Sequence, residues 1–310
     1  MRIYGLGKDI IPKKPRAIAL GLFDGMHLGH RALLESTARA AEEKNLGFAV
    51  FTFSSEGKIK SGTARLERTE DKLSKMEELG VGEVFVAEFS DIANLTPEQF
   101  VRQILVSELD CRLGAVGYNF RFGKGASGDA ELFSALLKAS GGEALVLGEV
   151  SLLGEAVSST RIRRALSRGE PSEAFALLGE PYSVEALVER GLGLGKSFGF
   201  PTVNTPLDFD CPLKRGVYRT VVELGGRLYT GVTNVGLCPT VGERELHAET
   251  FIVDFSGEIY GEKIKTYFLE YLREEKKFDN VSALSEQIRI DAKRAKEGNG
   301  ESLWQAIGRS

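Results

Sequence analysis

Two of the three histidines in this 310-residue chain lie three apart in one short run, Gly21-Leu22-Phe23-Asp24-Gly25-Met26-His27-Leu28-Gly29-His30. At positions i and i+3 of a helical face, His27 and His30 point the same way. Near neutral pH an imidazole donates N–H groups in either its neutral or its cationic form. A strand-like run, Ala17–Leu20, leads into the pair and a helix-like run, Leu33 to Lys44, leaves it. Both histidines therefore fall at a strand-to-helix turn. A helix start offers unpaired N–H groups and the positive end of its dipole, a combination that suits phosphate. The chemistry it would support is nucleotidyl transfer, in which the attacking phosphate oxygen needs positioning and charge stabilisation rather than a strong base. Two histidines capping a helix with no chemical role fit this run alone equally well.

Two later segments favour phosphate. Gly117-Tyr118-Asn119-Phe120-Arg121-Phe122-Gly123-Lys124 sets two cations and an amide between aromatics. Ser158-Ser159-Thr160-Arg161-Ile162-Arg163-Arg164 puts hydroxyls and arginines at another helix start, a second phosphate clamp in which Arg161 is nearest the cap. Arg163 and Arg164 read as a solvated face.

A second constellation lies further on. Gly191-Leu192-Gly193-Leu194-Gly195-Lys196-Ser197 is not a Walker A loop, because Arg190 stands where its first glycine belongs. Backbone N–H groups of such a glycine-rich loop can still approach phosphate. Gly199-Phe200-Pro201-Thr202-Val203-Asn204 follows. Thr202 and Asn204 are two apart, so in an extended segment they share a side. Their oxygens are hard ligands suited to Mg²⁺ on ATP. Glu249, in the strand-like run His247–Ile252, carries a carboxylate that could take a proton from an alcohol. By itself it is an ordinary outward strand residue, and His247 reads as structural or exposed.

The elements that must position these groups fall into two patterns. Residues 16 to about 180 alternate strands (Ala17–Leu22, Gly47–Phe53, Glu83–Val86, Leu113–Val116, Ala144–Leu147) with helices (Leu33–Lys44, Glu70–Leu79, a start at Thr96-Pro97, Ala130–Leu137). Repeated β-α units predict a doubly wound parallel sheet, with ligand beyond the carboxyl ends of the strands. Two short helices follow over Ser159–Leu178, the second opened by Pro171 and stopped by Gly179. From 182 to 272 the period becomes two, with hairpin signals at Gly225-Gly226 and again between Ala248–Phe255 and Lys263–Tyr271. This predicts a small antiparallel β-barrel, covered by a C-terminal helix at Val281–Lys296. The fold class is thus α/β plus all-β, with domains 1–181 and 182–310.

A net charge of −4 argues against broad binding to nucleic acid or an anionic membrane surface. No run approaches the ~20 apolar residues that span a bilayer, and no signal peptide is evident. Cys111, Cys211 and Cys238 lie far apart and read as reduced thiols of a cytoplasmic protein.

Taken together, Gly-x-Phe-Asp-Gly-x-His-x-Gly-His, the Asn119-Phe120-Arg121-Phe122-Gly123 loop and the Ser-Ser-Thr-x-x-Arg helix start resemble the adenylyltransferase half of bacterial FAD synthetases. The resemblance implies that the ATP phosphates meet His27, His30, Ser159, Thr160 and Arg161, beside Phe23 and Asp24, and that Asn119 and Arg121 help to hold the flavin nucleotide or ATP. Gly-Phe-Pro-Thr-x-Asn, Gly231-Val232-x-Asn234-x-Gly236-x-x-Pro239-Thr240, Glu249, Tyr260-Gly261 and Leu272-Arg273-x-Glu275-x-Lys277-Phe278 resemble the riboflavin kinase fold. That implies Gly195, Lys196, Gly199, Thr202 and Asn204 on Mg²⁺–ATP, Glu249 as base on the ribityl 5′-hydroxyl, and Arg273 and Phe278 near the flavin.

The resemblances cover nearly the whole chain. They imply a bifunctional enzyme that phosphorylates riboflavin to FMN and adenylylates FMN to FAD, releasing pyrophosphate. The family's Phe-x-Pro-His-Pro element is replaced here by Phe51-Thr52-Phe53-Ser54-Ser55-Glu56-Gly57, which bears on adenylylation. Val203 stands for the usual alanine, and Lys196 for an arginine, keeping the charge without the bidentate fork. Rival readings are a single-activity enzyme with the adenylyl-transferring half the weaker, transfer to another phosphate acceptor, and a non-catalytic flavin sensor.

Overall fold

The computed structural model describes residues 1–54, 65–190, 200–207, 211–239, 244–297, 305 and 307. The chain forms two compact units, one of residues 1–63 and 67–158, the other of residues 64–66 and 159–310. The division comes at Ser158/Ser159, so the paired helices Ser159–Arg168 and Pro171–Leu178 belong with the barrel. The change of sequence period falls later, at 181/182.

In the first unit six parallel strands form one sheet: β1 (Arg2–Gly5), β2 (Arg16–Leu20), β3 (Gly47–Phe53), β4 (Glu83–Ala87), β5 (Cys111–Gly117) and β6 (Glu143–Leu147), in the order β1-β4-β3-β2-β5-β6. The central strand β2 is buried at all five residues, as a parallel strand covered on both faces must be. Ala17 and Ala19 face one core with Leu33, Leu34 and Met76, from helices α1 (Leu28–Glu43) and α2 (Thr69–Glu78). Ile18 and Leu20 face the other, with Phe100, Leu105, Phe133 and Leu137. The sheet is therefore doubly wound. The order reverses at β2, between its neighbours β3 and β5, which makes the β2/β5 carboxyl edge the switch point. Both phosphate-suited loops, 21–30 and 117–122, leave the sheet there.

The predicted N-cap at Thr96 forms in full: Thr96 Oγ1 accepts from Gln99 N, and the Gln99 side chain accepts from Thr96 N. The helix then widens to π winding over Phe100–Glu108. Strand β1 has no counterpart in the sequence reading; it is a short edge strand paired with β4.

In the second unit β9 (Ser183–Leu187), β10 (Thr202–Pro206), β11 (Gly216–Leu224), β12 (Arg227–Pro239), β13 (Arg244–Ile252) and β14 (Lys263–Arg273) follow a two-stranded ribbon, β7 (Ser151–Leu152) with β8 (Glu155–Ala156), that belongs to the first unit. Their order is β10-β13-β12-β11-β14-β9, antiparallel throughout. Glu189 N donates to Asn204 O at 2.8 Å, bringing the two edges of the sheet together as a nearly closed barrel. The Gly225-Gly226 hairpin is as expected. The second expected hairpin does not form. Strand β14 pairs with β11 and β9, because the 253–262 connection carries it past β13 to close the barrel. The terminal helix, Val281–Lys296, is capped by the Asn280 side chain, which accepts from Ala283 N at 2.9 Å.

Candidate active sites

The first site is a turn before a helix. Helix α1 begins at Leu28, five residues earlier than its apolar pattern suggests. His27 is the N-cap, its Nδ1 accepting from His30 N at 3.3 Å. Histidine is not among the usual capping residues, so the pattern gives no warning of the early start. An accepting Nδ1 puts the His27 proton on Nε2, leaving that edge as a donor. The two imidazoles stack at 3.7 Å between centroids, 16° from parallel, and the Phe23 ring meets His30 edge-on at 5.2 Å. Gly29 leaves room for this stack: a Cβ there would come within 3.2 Å of the His27 ring.

The turn is held in an unusual backbone. Phe23 has φ +53°, Gly25 +87° and Met26 +38°. Left-handed φ at two bulky residues is strained and persists only where the surroundings over-determine it. The Phe23 ring is fully buried, so what it offers a ligand is backbone. His30 is partly exposed as a residue, yet its Nδ1 is buried without a hydrogen-bond partner. Burial, then the neighbouring His27 and Lys72, holds its pKa well below the ordinary 6.5. His30 is therefore neutral at pH 7, consistent with two rings too close to carry two charges.

Across the switch point, Phe120 and Phe122 stack on one another at 5.4 Å and pack on the core beside Phe133. Asn119 and Arg121 alternate with them and are exposed. Arg121 lies 3.7 Å from Asp129, the cap of helix Ala130–Ala139. In the second unit, Ser159, Thr160 and Arg161 open the helix Ser159–Arg168. Thr160 is exposed, whereas Arg161 is buried with its Nε 2.9 Å from Glu173.

The barrel site is assembled by register. Asn204 on β10 and Asn234 on β12 both stand opposite Glu249 on β13. Ala248 and Thr250 point into the barrel and are buried, so Glu249 faces out and is exposed. Thr202 Oγ1 donates to Glu249 Oε1 at 2.7 Å. Asn234 Nδ2 donates to Glu275 Oε1 at 3.3 Å, while Asn234 Oδ1 is buried with no hydrogen-bond partner. The sequence reading assigned no role to Asn234 and gave Glu275 only a place in the Arg273–Phe278 loop near the flavin; strand pairing sets Asn234 opposite Glu249, and the hydrogen bond from Asn234 brings in Glu275. Arg273 is held by Asp291 through three contacts of 2.7, 3.0 and 3.3 Å, with its guanidinium 5.9 Å from the Phe278 ring. Gly195, Lys196 and Gly199 lie outside the described residues, as do Thr240 and residues 55–57 of the departing loop.

Among the described residues no group of three His, Cys, Asp or Glu side chains is placed to hold a metal. A divalent ion on the barrel would rest on the neutral oxygens of Thr202 and Asn204 and on the phosphates of its substrate. This donor set fits Mg²⁺, which keeps several waters and few protein ligands.

A doubly wound sheet with a histidine-capped turn at its switch point, and a barrel presenting a carboxylate beside a hydroxyl and two amides, fit a two-domain nucleotide-dependent transferase. Residues 10–161 match the FAD synthetase family and residues 178–298 the riboflavin kinase family. The bifunctional riboflavin kinase/FMN adenylyltransferase of Bacillus subtilis is 34% identical, with 90% of each chain covered. That of Haemophilus influenzae is 35% identical over 90% of this chain and 93% of its own. A crystal structure described as a macrolide-efflux protein from Streptococcus pneumoniae superposes with a TM-score of 0.86 at 29% identity, over 96% of this chain and 99% of that one. Among the described residues no helix is long and apolar enough to cross a membrane. The chain belongs to the bifunctional riboflavin kinase/FMN adenylyltransferase family and carries both enzymatic domains.

Proposed function

We propose that the two activities divide between the two sites as follows. In the barrel, Glu249 takes the proton of the riboflavin 5′-hydroxyl as that oxygen attacks the γ-phosphorus of ATP, giving FMN and ADP. The observation that carries this reading is the Thr202–Glu249 hydrogen bond of 2.7 Å within a row flanked by Asn204 and Asn234. The Thr202 hydroxyl fixes one carboxylate oxygen and leaves the other to face the alcohol. Mg²⁺ would be held by Thr202 and Asn204 together with the phosphates, and would supply charge neutralisation there. Arg273, engaged by Asp291, sets the 274–278 loop, and Phe278 offers the flavin an aromatic face.

In the α/β unit, His27 and neutral His30 donate N–H groups to the phosphates of a second ATP as the FMN phosphate attacks the α-phosphorus. Pyrophosphate leaves and FAD forms. Asn119 and Arg121 are assigned to the flavin nucleotide or ATP, and the Ser159–Arg161 helix start to phosphate. The described cysteines, Cys111 and Cys211, are free thiols, which fits a cytoplasmic setting.

The test is product analysis with riboflavin, ATP and Mg²⁺. Glu249→Ala is expected to form no FMN from riboflavin yet still convert supplied FMN to FAD. His27→Ala with His30→Ala is expected to stop at FMN. Wild-type FMN formation by the first variant, or wild-type FAD formation by the second, overturns the corresponding assignment.

A further inference from the structure

We infer that Glu67 and Lys72 are positioning residues for adenylyl transfer, holding the Leu22–Met26 turn in the left-handed backbone that presents His27 and His30. This rests on the reading that the two histidines face ATP. Both residues belong to one short stretch entering and opening α2, and both are buried, Lys72 at 6% and Glu67 at 9% exposure. Charged side chains are rarely so buried without a specific partner. Here the partners include the turn's own backbone. Glu67 Oε1 accepts from Gly25 N at 2.8 Å, and Lys75 Nζ lies 3.0 Å from Glu67 Oε2. Lys72 Nζ donates to Leu22 O and to Thr52 Oγ1, each at 3.3 Å, and Thr52 Oγ1 itself donates to Leu22 O at 3.2 Å.

The two contacts grip the main chain on either side of Phe23 and Asp24. Phe23 is the residue whose left-handed φ sets its ring against His30. A third tie, Arg31 Nε to Met26 O at 3.1 Å, closes the far end of the turn. If Gly25 N–H or Leu22 O loses its buried partner, the turn can relax toward ordinary backbone. The Phe23 ring then moves, and the stacked imidazoles move with it. Misplacement of a catalytic group by about 1 Å can cost on the order of a hundredfold in rate. These contacts are made to backbone groups, so they act on the conformation of the turn.

The experiment uses the full chain, with FAD formation from FMN and FMN formation from riboflavin measured separately. Glu67→Ala and Lys72→Met are expected to lower kcat for FAD formation by about tenfold to a hundredfold. KM for ATP is expected to stay within about threefold, with FMN formation unchanged. Glu67→Gln keeps an oxygen for Gly25 N–H and is expected to recover most of the rate lost in Glu67→Ala. In a His27→Ala, His30→Ala background, adding Glu67→Ala is expected to cost nothing further, because the group it positions is gone. The inference is overturned by wild-type kcat in both single variants, by an equal further loss in the histidine-free background, or by a parallel loss of FMN formation. Should Glu67→Ala not fold, Lys72→Met in the same two backgrounds decides. If removing both histidines leaves FAD formation intact, it is the assignment of the histidines that fails.

Discussion

The two sites are built in opposite ways. The α/β site is local in sequence: ten residues, 21–30, supply the turn, the cap and both histidines. Its cost is backbone strain, met by side-chain contacts to the turn's backbone from Glu67, Lys72 and Arg31. The barrel site is dispersed: Thr202, Asn204, Asn234 and Glu249 come from three strands and meet because antiparallel register aligns them. No strained residue is needed, since alternate side chains of a strand share a face at no conformational cost. In the first site His30 Nδ1 is buried without a hydrogen-bond partner, whereas the Glu249 carboxylate is exposed. On the proposed reading the Glu249 carboxylate meets its substrate from solvent, while His30 is already neutral in the free protein.

This contrast can be broken at several points. The largest effect is expected from Glu249→Ala, which should lower kcat for FMN formation by on the order of 10²–10⁴ if the carboxylate is the base. An initial-rate assay with riboflavin checks this. His27→Ala with His30→Ala comes next, with a loss of about 10²–10³ in FAD formation if the pair stabilises charge at the α-phosphorus. Thr202→Val removes the hydroxyl that orients Glu249 and that is proposed to bind Mg²⁺, so a loss of at least about tenfold in kinase kcat is expected.

A smaller effect concerns stability and pH. The folded pKa of His30 is depressed, so as pH falls through 6.5 the unfolded chain binds that proton first. Unfolding is then favoured, and the stability contribution of neutral His30 is lost as pH falls from 6.5 toward its folded pKa. Glu67, pushed up by burial, acts with the opposite sign. The comparison of wild type with His30→Gln therefore isolates the histidine. Tm should fall less steeply on acidification in the variant, as read by thermal denaturation between about pH 7 and 5. Equal slopes would show that the imidazole is not desolvated.

Much of this was legible in the chain itself. The all-apolar run Ala17–Leu20 determined a strand covered on both sides, and the period-two alternation of residues 217–272 determined antiparallel sheet. Thr96-Pro97-x-Gln99 marked a helix start that forms as read, and the terminal helix spans Val281–Lys296 as expected. His27 and His30 had to be neighbours, because three residues of helix cannot separate them. These are short-range constraints, set by backbone period and cap chemistry, and a sequence carries them locally.

Only the tertiary structure decided the rest. That helix α1 starts at Leu28, with His27 its cap and His30 stacked on it, goes with a turn gripped by Glu67, just before α2 and some forty residues away. That β14 joins β11 and β9 rather than β13 follows from barrel closure, which balances all six strands at once. That Asn234 stands opposite Glu249, with Glu275 hydrogen-bonded to it, follows from the register of β12 on β13, and a one-residue slip would have turned each strand's residues to the other face. In each case the deciding interaction spans a long stretch of chain and is made by ordinary residues, so only the folded neighbourhood gives them a role.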